Sequence, residues 1–422
     1  MVVSESKPCA RQDAVWLEVF KFLSYPDVVK TSSVSVRWNA LASSDFVWKS
    51  QCEFYWLLKE LPVGCDNWKS AFIARYKAFH EYIDCYRYVK GAWNSLEDWL
   101  KKHCPLIFSS LKDGIAEGVI HEYERQYGLQ LPKDLKLSYL IHNGQETSPS
   151  GYGLLGSHYK KGPHGPGLST FFLLEFSELF DDSFGPAGSL VLSCSEKMTF
   201  LQLVKSAQPA DAQKIVAFSS WYRLDSAYRV YEVAETFTRW FSEYVKKVVS
   251  GRFPVDNGRI MSYDSATEVR KVFYFVETSV RWSLINTCVD GISTYSLRLR
   301  MKMNDNTPSS EACKVVKAYC NLTDLTGHLR TKRLADVVVG SPVLANDAEA
   351  IFSLTVVYKS VDFMVKGAIV LQSIANSELK VKVPFAEFRI TVPWKTYSDL
   401  SWRQGDSTSL LTRTTDSNDA SS

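Results

Sequence analysis

Apolar residues recur at helical spacing along the start of the chain. Residues 13–48 predict two short amphipathic helices joined by a turn at residues 24–27. Asp27, next to a proline, is predicted as the N-cap of the second helix, in which Val34, Trp38 and Leu41 recur. The first helix is apolar on more than one face, through Val15, Trp16, Leu17, Val19, Phe20, Phe22 and Leu23. Such a helix needs a second partner, either the rest of the chain or another protein.

Residues 52–112 continue the helical pattern and are rich in aromatic residues. Phe72, Tyr76 and Phe79 are spaced i, i+4 and i+7, which places them on one helix face. We predict an all-α linker here, in which the aromatic side chains form a core. An aromatic cage for a ligand is the alternative interpretation.

Residues 113–252 combine helical and strand patterns. Gly128 is predicted to end one helix and Pro132 to open the next. Strands are predicted at 170–176, 190–194 and 214–218. A strongly periodic helix at residues 237–248 closes the region. These elements together predict an α+β domain over residues 113–252.

Residues 262–396 change to alternation with a period of two. Apolar residues from Tyr295 to Met303 alternate with serine, arginine and lysine, and lysines alternate with apolar residues from Leu379 onward. Further strands are predicted at 270–277, 313–320, 351–358 and 363–371. This pattern predicts an all-β sandwich. The last residues, 397–422, are mostly polar and are predicted to form a disordered tail.

Composition narrows the classes of function. The chain has 422 residues and a formal net charge of +3, which argues against counterion-driven nucleic-acid binding. It has no apolar run of about 18 residues and no apolar signal core near its start, so we expect neither a membrane partner nor secretion. Nine cysteines without a CxxC pair indicate reduced thiols. We therefore expect a cytoplasmic or nuclear protein.

The sequence contains no recognisable catalytic, cofactor-binding or metal-binding constellation. None of its seven histidines lies in an HExxH motif, and no GxSxG motif occurs. A GxGxxG string at Gly151, Gly153 and Gly156 neither follows a strand pattern nor opens a helix pattern. We predict a loop there rather than a nucleotide site, and we predict that the chain is not an enzyme.

Three regions resemble known families. Residues 9–51 resemble the F-box, by which substrate receptors dock on the Skp adaptor of cullin-type ubiquitin ligases; Arg11 and Gln12 stand where the family usually has Leu-Pro. Residues 113–252 resemble the SUKH (Smi/Knr-like) domain through the strings YGLQLP and HNGQ. Residues 262–396 resemble the ApaG domain, an immunoglobulin-like sandwich. The family's glycine turn falls on Ala335, Val337 and Gly340. The F-box match rests on Leu23, Asp27, Val34, Trp38, Leu41 and Trp48.

This domain order resembles that of F-box proteins with SUKH and ApaG domains, of the plant Skp-interacting type. It implies a substrate-recognition subunit of a Skp–cullin–F-box E3 ubiquitin ligase, without cofactor, whose target binds the ApaG-like and SUKH-like domains through unknown residues. The residues predicted for the core and the adaptor contact together are Val15, Trp16, Val19, Phe20, Leu23, Asp27, Val28, Val34, Arg37 and Trp38. Two alternatives are a non-ligase scaffold with a decayed F-box and an ApaG-type phosphohydrolase.

Overall fold

The chain folds into two compact units in a computed structural model. Unit 1 comprises residues up to Asn94 together with Lys133–Ser138, and unit 2 comprises Ser95–Pro132 and the residues from Tyr139 onward. The structure describes residues 9–147, 152–162, 165–180, 189–194, 199–204, 213–218, 230–287, 293–303, 312–327, 329–333, 343–345, 349–359, 362–391 and 395–397. Three predicted features lie outside these residues. They are the tail beyond Tyr397, the first glycine of the GxGxxG string (Gly151), and the glycine-turn positions Ala335, Val337 and Gly340.

The described part of unit 1 is helical. Its helices are α1 (Cys9–Lys21), α2 (Tyr25–Thr31), α3 (Val36–Ala42), α4 (Asp45–Trp56), α5 (Trp68–Phe79) and the first half of α6 (Ile83–His103). Hydroxyl side chains begin two of them: the Ser35 side chain accepts a hydrogen bond from the Trp38 backbone N–H, and that of Ser44 accepts one from Val47. These caps satisfy backbone donors that a helix start leaves unpaired.

The predicted second helix of the N-terminal hairpin is wrong: α2, α3 and α4 take its place. Ser24, not Asp27, is the N-cap residue of α2, and Asp27 lies in the first helical turn. The chain leaves the helix after Thr31 because serine hydroxyls bond backward to α2 carbonyls, and a new cap at Ser35 starts α3. Val34 therefore lies in the turn between two helices rather than within one.

Aromatic side chains form the core of unit 1, as predicted for residues 52–112. Phe72 is buried and its ring lies 5.0 Å from that of Trp48 and 5.8 Å from that of Trp56. The Trp93 indole N–H donates to the Ser138 hydroxyl at 3.0 Å, inside the same unit. Tyr76 is only half-buried.

Unit 2 begins with helices and a small hairpin. Its helices are the second half of α6, α7 (Pro105–Ser109), α8 (Glu117–Tyr127), α9 (Lys133–Ile141, shared with unit 1) and α10 (Phe237–Val249). Strand β1 (Leu111–Asp113) pairs with β2 (His142–Gln145), and β3 (Ser157–Gly162) pairs with β4 (Gly165–Thr170). The predicted stop at Gly128 is confirmed, since this residue has φ +57 and follows α8 directly.

An antiparallel sheet follows in unit 2. Its strands are β5 (Ser189–Cys194), β6 (Thr199–Leu203), β7 (Ile215–Phe218) and β8 (Val230–Ala234), with β21 (Lys395–Tyr397) at one edge. The predicted strands at 190–194 and 214–218 are confirmed. The strand predicted at 170–176 is wrong, because the chain after Thr170 runs irregularly into a 3₁₀ turn at Phe176–Phe180. The apolar run there reflects burial: Leu173 and Phe176 are core residues, and Tyr139 donates its hydroxyl to the Leu174 carbonyl.

A β-sandwich makes up most of the remainder. One sheet has the order β11 (Val269–Phe273), β12 (Val276–Thr287), β13 (Ser293–Met303) and β17 (Ala350–Tyr358). The other has the order β15 (Leu329–Arg333), β14 (Cys313–Asp324), β18 (Asp362–Ser373) and β19 (Lys380–Pro384), with β16 (Val343–Leu344) on β14 and β20 (Phe388–Thr391) on β18. Alternate residues of both sheets share one core, including Leu297, Leu299, Val315, Cys320, Val365 and Ile369.

The period-two alternation correctly predicted five strands of the sandwich, β13, β14, β17, β18 and β19. The single strand predicted at 270–277 is wrong: β11 ends at Phe273 and β12 starts at Val276. Tyr274 adopts a left-handed conformation, φ 53, which makes a tight hairpin between them.

Hydrogen bonds and ion pairs tie the sandwich to the preceding part of unit 2. Strand β21 pairs with β8, the Tyr263 and Ser296 hydroxyls lie 2.6 Å apart, and Arg298 pairs with Asp256 at 2.9 Å. The predicted boundary between residues 252 and 262 therefore lies inside one compact unit. The chain is thus a helical unit followed by a largely β unit.

Candidate functional site

Helix α1 carries two apolar faces with different surroundings. Residues Trp16, Phe20 and Leu23 lie on one face at i, i+4 and i+7, with Leu23 just beyond the helix end. Residues Val15, Val19 and Phe22 lie on the adjacent face at the same spacing. We call these two sets the inner face and the outer face of α1.

The inner face packs within unit 1. Phe20 is 1% exposed, and its ring lies 5.4 Å from that of Trp38 on α3. The Trp16 ring lies 5.2 Å from Trp38 as well, so three aromatic rings form a cluster between α1 and α3. Val28 on α2 is also fully buried. These contacts place Phe20 in the structural core, with the Trp16 and Trp38 rings packed beside it.

The outer face is open to solvent within the chain. Val15, Val19 and Phe22 are 60%, 43% and 81% exposed, respectively. Exposed valines continue on the neighbouring segments at Val29, Val34 and Val36. Scattered single apolar residues on a surface need no explanation, but these six lie within three consecutive helices and their connecting turns and form a candidate interaction surface.

Charged side chains lie beside this apolar surface. The Arg37 guanidinium on α3 pairs with Asp13 at the start of α1 at 2.7 Å, which fixes the two helix starts relative to each other. The hydrogen bond from Ser24 and the Lys30 ammonium hold the pKa of Asp27 below its usual value. The predicted contact residues Asp27 and Arg37 are thus both exposed and both engaged within the chain.

The structure separates the roles that sequence left combined. Of the predicted residues, Phe20 and Val28 belong to the core, Leu23 and Trp38 are half-buried, and Trp16 is 37% exposed although its ring packs against Trp38. Val15, Val19 and Val34 are exposed and available for a partner. Phe22, Val29 and Val36 were missing from the predicted set. The spacing of Phe22 from Val15 and Val19 was the signal that identifies it, since the three lie at i, i+4 and i+7.

An apolar groove of about 340 Å³ lies next to this surface in unit 1. Helices α2, α4 and α5 form most of its walls. Its lining includes Tyr25, Val28, Val29, Trp48, Phe72 and Ile73. Val29 therefore borders both the groove and the exposed valines.

Three cysteines of the described chain have raised pKa values. Burial raises the pKa of the Cys52 and Cys85 thiols to about 12 and that of Cys104 to about 11, so none of these is a ready thiolate nucleophile. No cluster of three or more potential metal ligands occurs within the described ranges. Among the helices of the described chain, none is long and apolar enough to span a bilayer.

The GxGxxG string forms a packed loop, as far as it is described. A Cβ on Gly153 would lie 2.3 Å from the Phe171 carbonyl oxygen, and Gly156 has φ +99. Both glycines are buried, and the loop leads into strand β3 rather than into a helix. Close packing and backbone conformation therefore account for the two described glycines.

Comparison with known proteins identifies an F-box-like domain within the helical unit. Residues 13–53 match the family model described as F-box-like. Human F-box only protein 3 is 29% identical over 347 residues, which cover 78% of this chain and 71% of that protein. The F-box protein SKIP16 of Arabidopsis thaliana is 25% identical over 147 residues, covering 31% of this chain and 33% of its own length. The chain thus contains an F-box-like domain and is homologous to F-box proteins.

One of the solved structures that match part of this chain is that of a bacterial protein. The crystal structure of the putative ApaA protein from Bordetella pertussis shares 17% identity with this chain, with a TM-score of 0.24. It covers 28% of this chain and 94% of its own. The β-sandwich is shown by its own strand pairing.

Proposed function

We propose that this chain is the substrate-recognition subunit of a Skp–cullin–F-box ubiquitin ligase. The F-box-like domain and the homology to F-box proteins support this role in general terms. In the specific form proposed here, the outer face of α1 docks on the Skp adaptor and the adaptor connects the chain to the cullin. The largely β unit, with its proposed SUKH-like and ApaG-like regions, presents the target protein.

The division of α1 into a buried face and an exposed face carries this proposal. A helix with only an inner face needs no partner beyond its own unit. Val15, Val19 and Phe22 form a second apolar stripe that no described residue covers to the extent seen for Phe20. Burying such side chains in an adaptor pocket is favourable by about 25 cal/mol per Å² of apolar area. The exposed stripe is therefore the surface that we assign to the adaptor.

In this role the chain performs no chemistry of its own. It holds a target near the ubiquitin-charged partner enzyme, which raises the effective concentration of one for the other. The raised pKa values of the buried thiols agree with a non-catalytic subunit. The seven described cysteines are all free thiols, which suits the cytoplasmic or nuclear location that we propose.

Calorimetric titration of the full chain with purified Skp adaptor tests the docking surface. The double variant Val15→Ala with Val19→Ala removes two exposed side chains and leaves the inner face intact. We expect its affinity to fall more than tenfold, because anchor side chains at interface centres contribute about 1 kcal/mol or more each. Leu61→Ala with Val63→Ala is the matched control, since both residues are exposed in the same unit but lie in the loop after α4.

The controls decide between the ligase role and its alternative. The control variant should bind the adaptor as the unchanged chain does, and all three proteins should unfold at nearly the same temperature. If the unchanged chain fails to bind the adaptor at all, the chain is instead a scaffold with a decayed F-box. Equal loss of affinity in both variants would show that the outer face of α1 is not the docking surface.

A further inference from the structure

One outer face of the β-sandwich carries lysines for which the described residues provide no acidic partner. Strands β14 and β19 turn Cys313, Val315, Ala318, Cys320 and Val383 into the core, and the residues that alternate with them face outward. The outward residues include Lys314, Lys317, Lys380 and Lys382, which we call the lysine face. Within the described ranges, no carboxylate lies within salt-bridge distance of any of the four.

Strand register brings these lysines together from distant parts of the chain. Lys314 and Lys380 are both paired with Gln372 of β18, and Lys317 and Lys382 are both paired with Val370. The two lysines of each pair are thus two strands apart, about 10 Å across the sheet. The two pairs follow each other along the strands. Tyr319 lies beside them, with the Lys382 ammonium 5.9 Å from its ring centre. The result is a compact cationic surface around one aromatic ring.

The arginines of the opposite sheet of the sandwich provide a contrast. Its arginines are paired with carboxylates: Arg298 with Asp256, Arg300 with Glu349, and Arg281 with Glu268. Even on the sheet of the lysine face, Lys366 and Arg389 at the other end have Glu387 and Asp362 as partners. Four neighbouring cations without such partners repel one another, and an anionic partner removes that repulsion.

From this charge pattern we propose that the lysine face binds an acidic, extended peptide segment of the target protein. This rests on the proposed function, which it deepens by giving the chemistry of the target. The two lysines of each pair are about 10 Å apart across the sheet, too wide for a single phosphate group. Alternate side chains of an extended peptide are about 7 Å apart, so successive carboxylates reach successive lysines.

The same observations disfavour a nucleic acid as the partner. Proteins that bind single strands combine a basic groove with several stacking aromatic rings, whereas this face is flat and has only Tyr319 among its described outward aromatics. The formal net charge of the chain is only +3. Binding of the carboxylates of one peptide depends on the local positive charge of the four lysines, not on the net charge of the whole chain.

Fluorescence anisotropy with the full chain tests this proposal. The probe is a fluorescein-labelled decapeptide of alternating glutamate and alanine, and a glutamine version is the uncharged reference. We expect the glutamate peptide to bind, the glutamine peptide not to bind, and added salt to weaken the binding. Lys314→Gln with Lys317→Gln, and Lys380→Gln with Lys382→Gln, should each weaken it roughly tenfold, as expected for two exposed charge pairs.

Matched variants separate this surface from net charge and from the adaptor site. Lys271→Gln with Lys359→Gln removes the same charge from exposed lysines of the other sheet and should leave peptide binding unchanged. Lys380→Arg with Lys382→Arg should retain binding. Affinity for the adaptor should be the same in all these variants. The peptide measurement does not depend on adaptor binding, so the two proposals can fail independently of each other.

Three results would overturn the proposal. The first is unchanged peptide affinity in both lysine-to-glutamine variants. The second is an equal loss in the Lys271/Lys359 control. The third is a 20-nucleotide deoxythymidine strand, or a vesicle containing phosphatidylserine, that binds through the same lysines while the glutamate peptide does not bind.

Discussion

Gln51 on α4 positions the end of the helix that carries the proposed adaptor surface. Its side chain is 2% exposed. The amide nitrogen donates to the Leu23 carbonyl at 3.0 Å and to the Lys21 carbonyl at 3.4 Å. Both carbonyls lie at the C-terminal end of α1, where a helix leaves acceptors without partners of its own. Gln51→Met keeps the length of the side chain and removes the donor.

The expected cost follows from leaving buried carbonyls without their donor. Losing one partner of a buried hydrogen bond costs about 1–3 kcal/mol. The apolar methionine offsets part of this by removing the buried amide oxygen of Gln51, which has no partner. We therefore expect a loss near the lower end of that range, concentrated at the end of α1.

Hydrogen–deuterium exchange of the full chain measures this locally. Peptides covering α1 should exchange about 5- to 30-fold faster in Gln51→Met, as expected for a loss of about 1–2 kcal/mol in opening free energy. Gln12→Met is the control, because Gln12 is an exposed glutamine on the same helix. Unchanged exchange of α1 in Gln51→Met would refute the role assigned to this side chain.

Two further predictions concern the cores of the two units. Ser138→Ala removes the hydroxyl that accepts from the Trp93 indole and should lower the free energy of unfolding by about 1 kcal/mol, measured by urea denaturation. In the sandwich, burial acts to raise the pKa of Glu268, but Arg281 and Arg270 outweigh it and hold this pKa below its ordinary value of 4.5. The carboxylate therefore stabilises the fold above pH 4.5, and this contribution is lost as the pH falls through the lower folded-state pKa. Glu268→Gln should flatten the decline of the melting temperature in acid, and an unchanged acid profile would contradict this.

The spacing of apolar residues in the sequence predicted helix α1, but it did not predict which residues lie on its inner face and which on its outer face. Val15, Trp16, Val19 and Phe20 are all apolar, so hydrophobicity alone ranks none of them as the buried one. The position of α3 determines which residue is buried, because Trp38 of α3 packs against Trp16 and Phe20. That contact depends on where α3 begins, and the Ser35 cap that sets this start was read as part of a continuous helix.

Period-two alternation predicted the sandwich well because its strands are buried on one face only. Alternation predicts neither turns nor strand order. The hairpin at Tyr274 was missed because valine and phenylalanine continue through it, and the run after Thr170 was taken for a strand because apolar residues fill an irregular buried segment. The lysine face was also beyond sequence reasoning, since only the register joins Lys314 to Lys380.

The central claim is that the outer face of α1 docks on the Skp adaptor, and its footprint on the full chain tests this most directly. Hydrogen–deuterium exchange is compared with and without saturating adaptor. We predict that added protection concentrates in residues 13–38, with little change in the sandwich at residues 269–391. Protection confined to the sandwich, or no change in residues 13–38 while the adaptor is bound, would contradict the account.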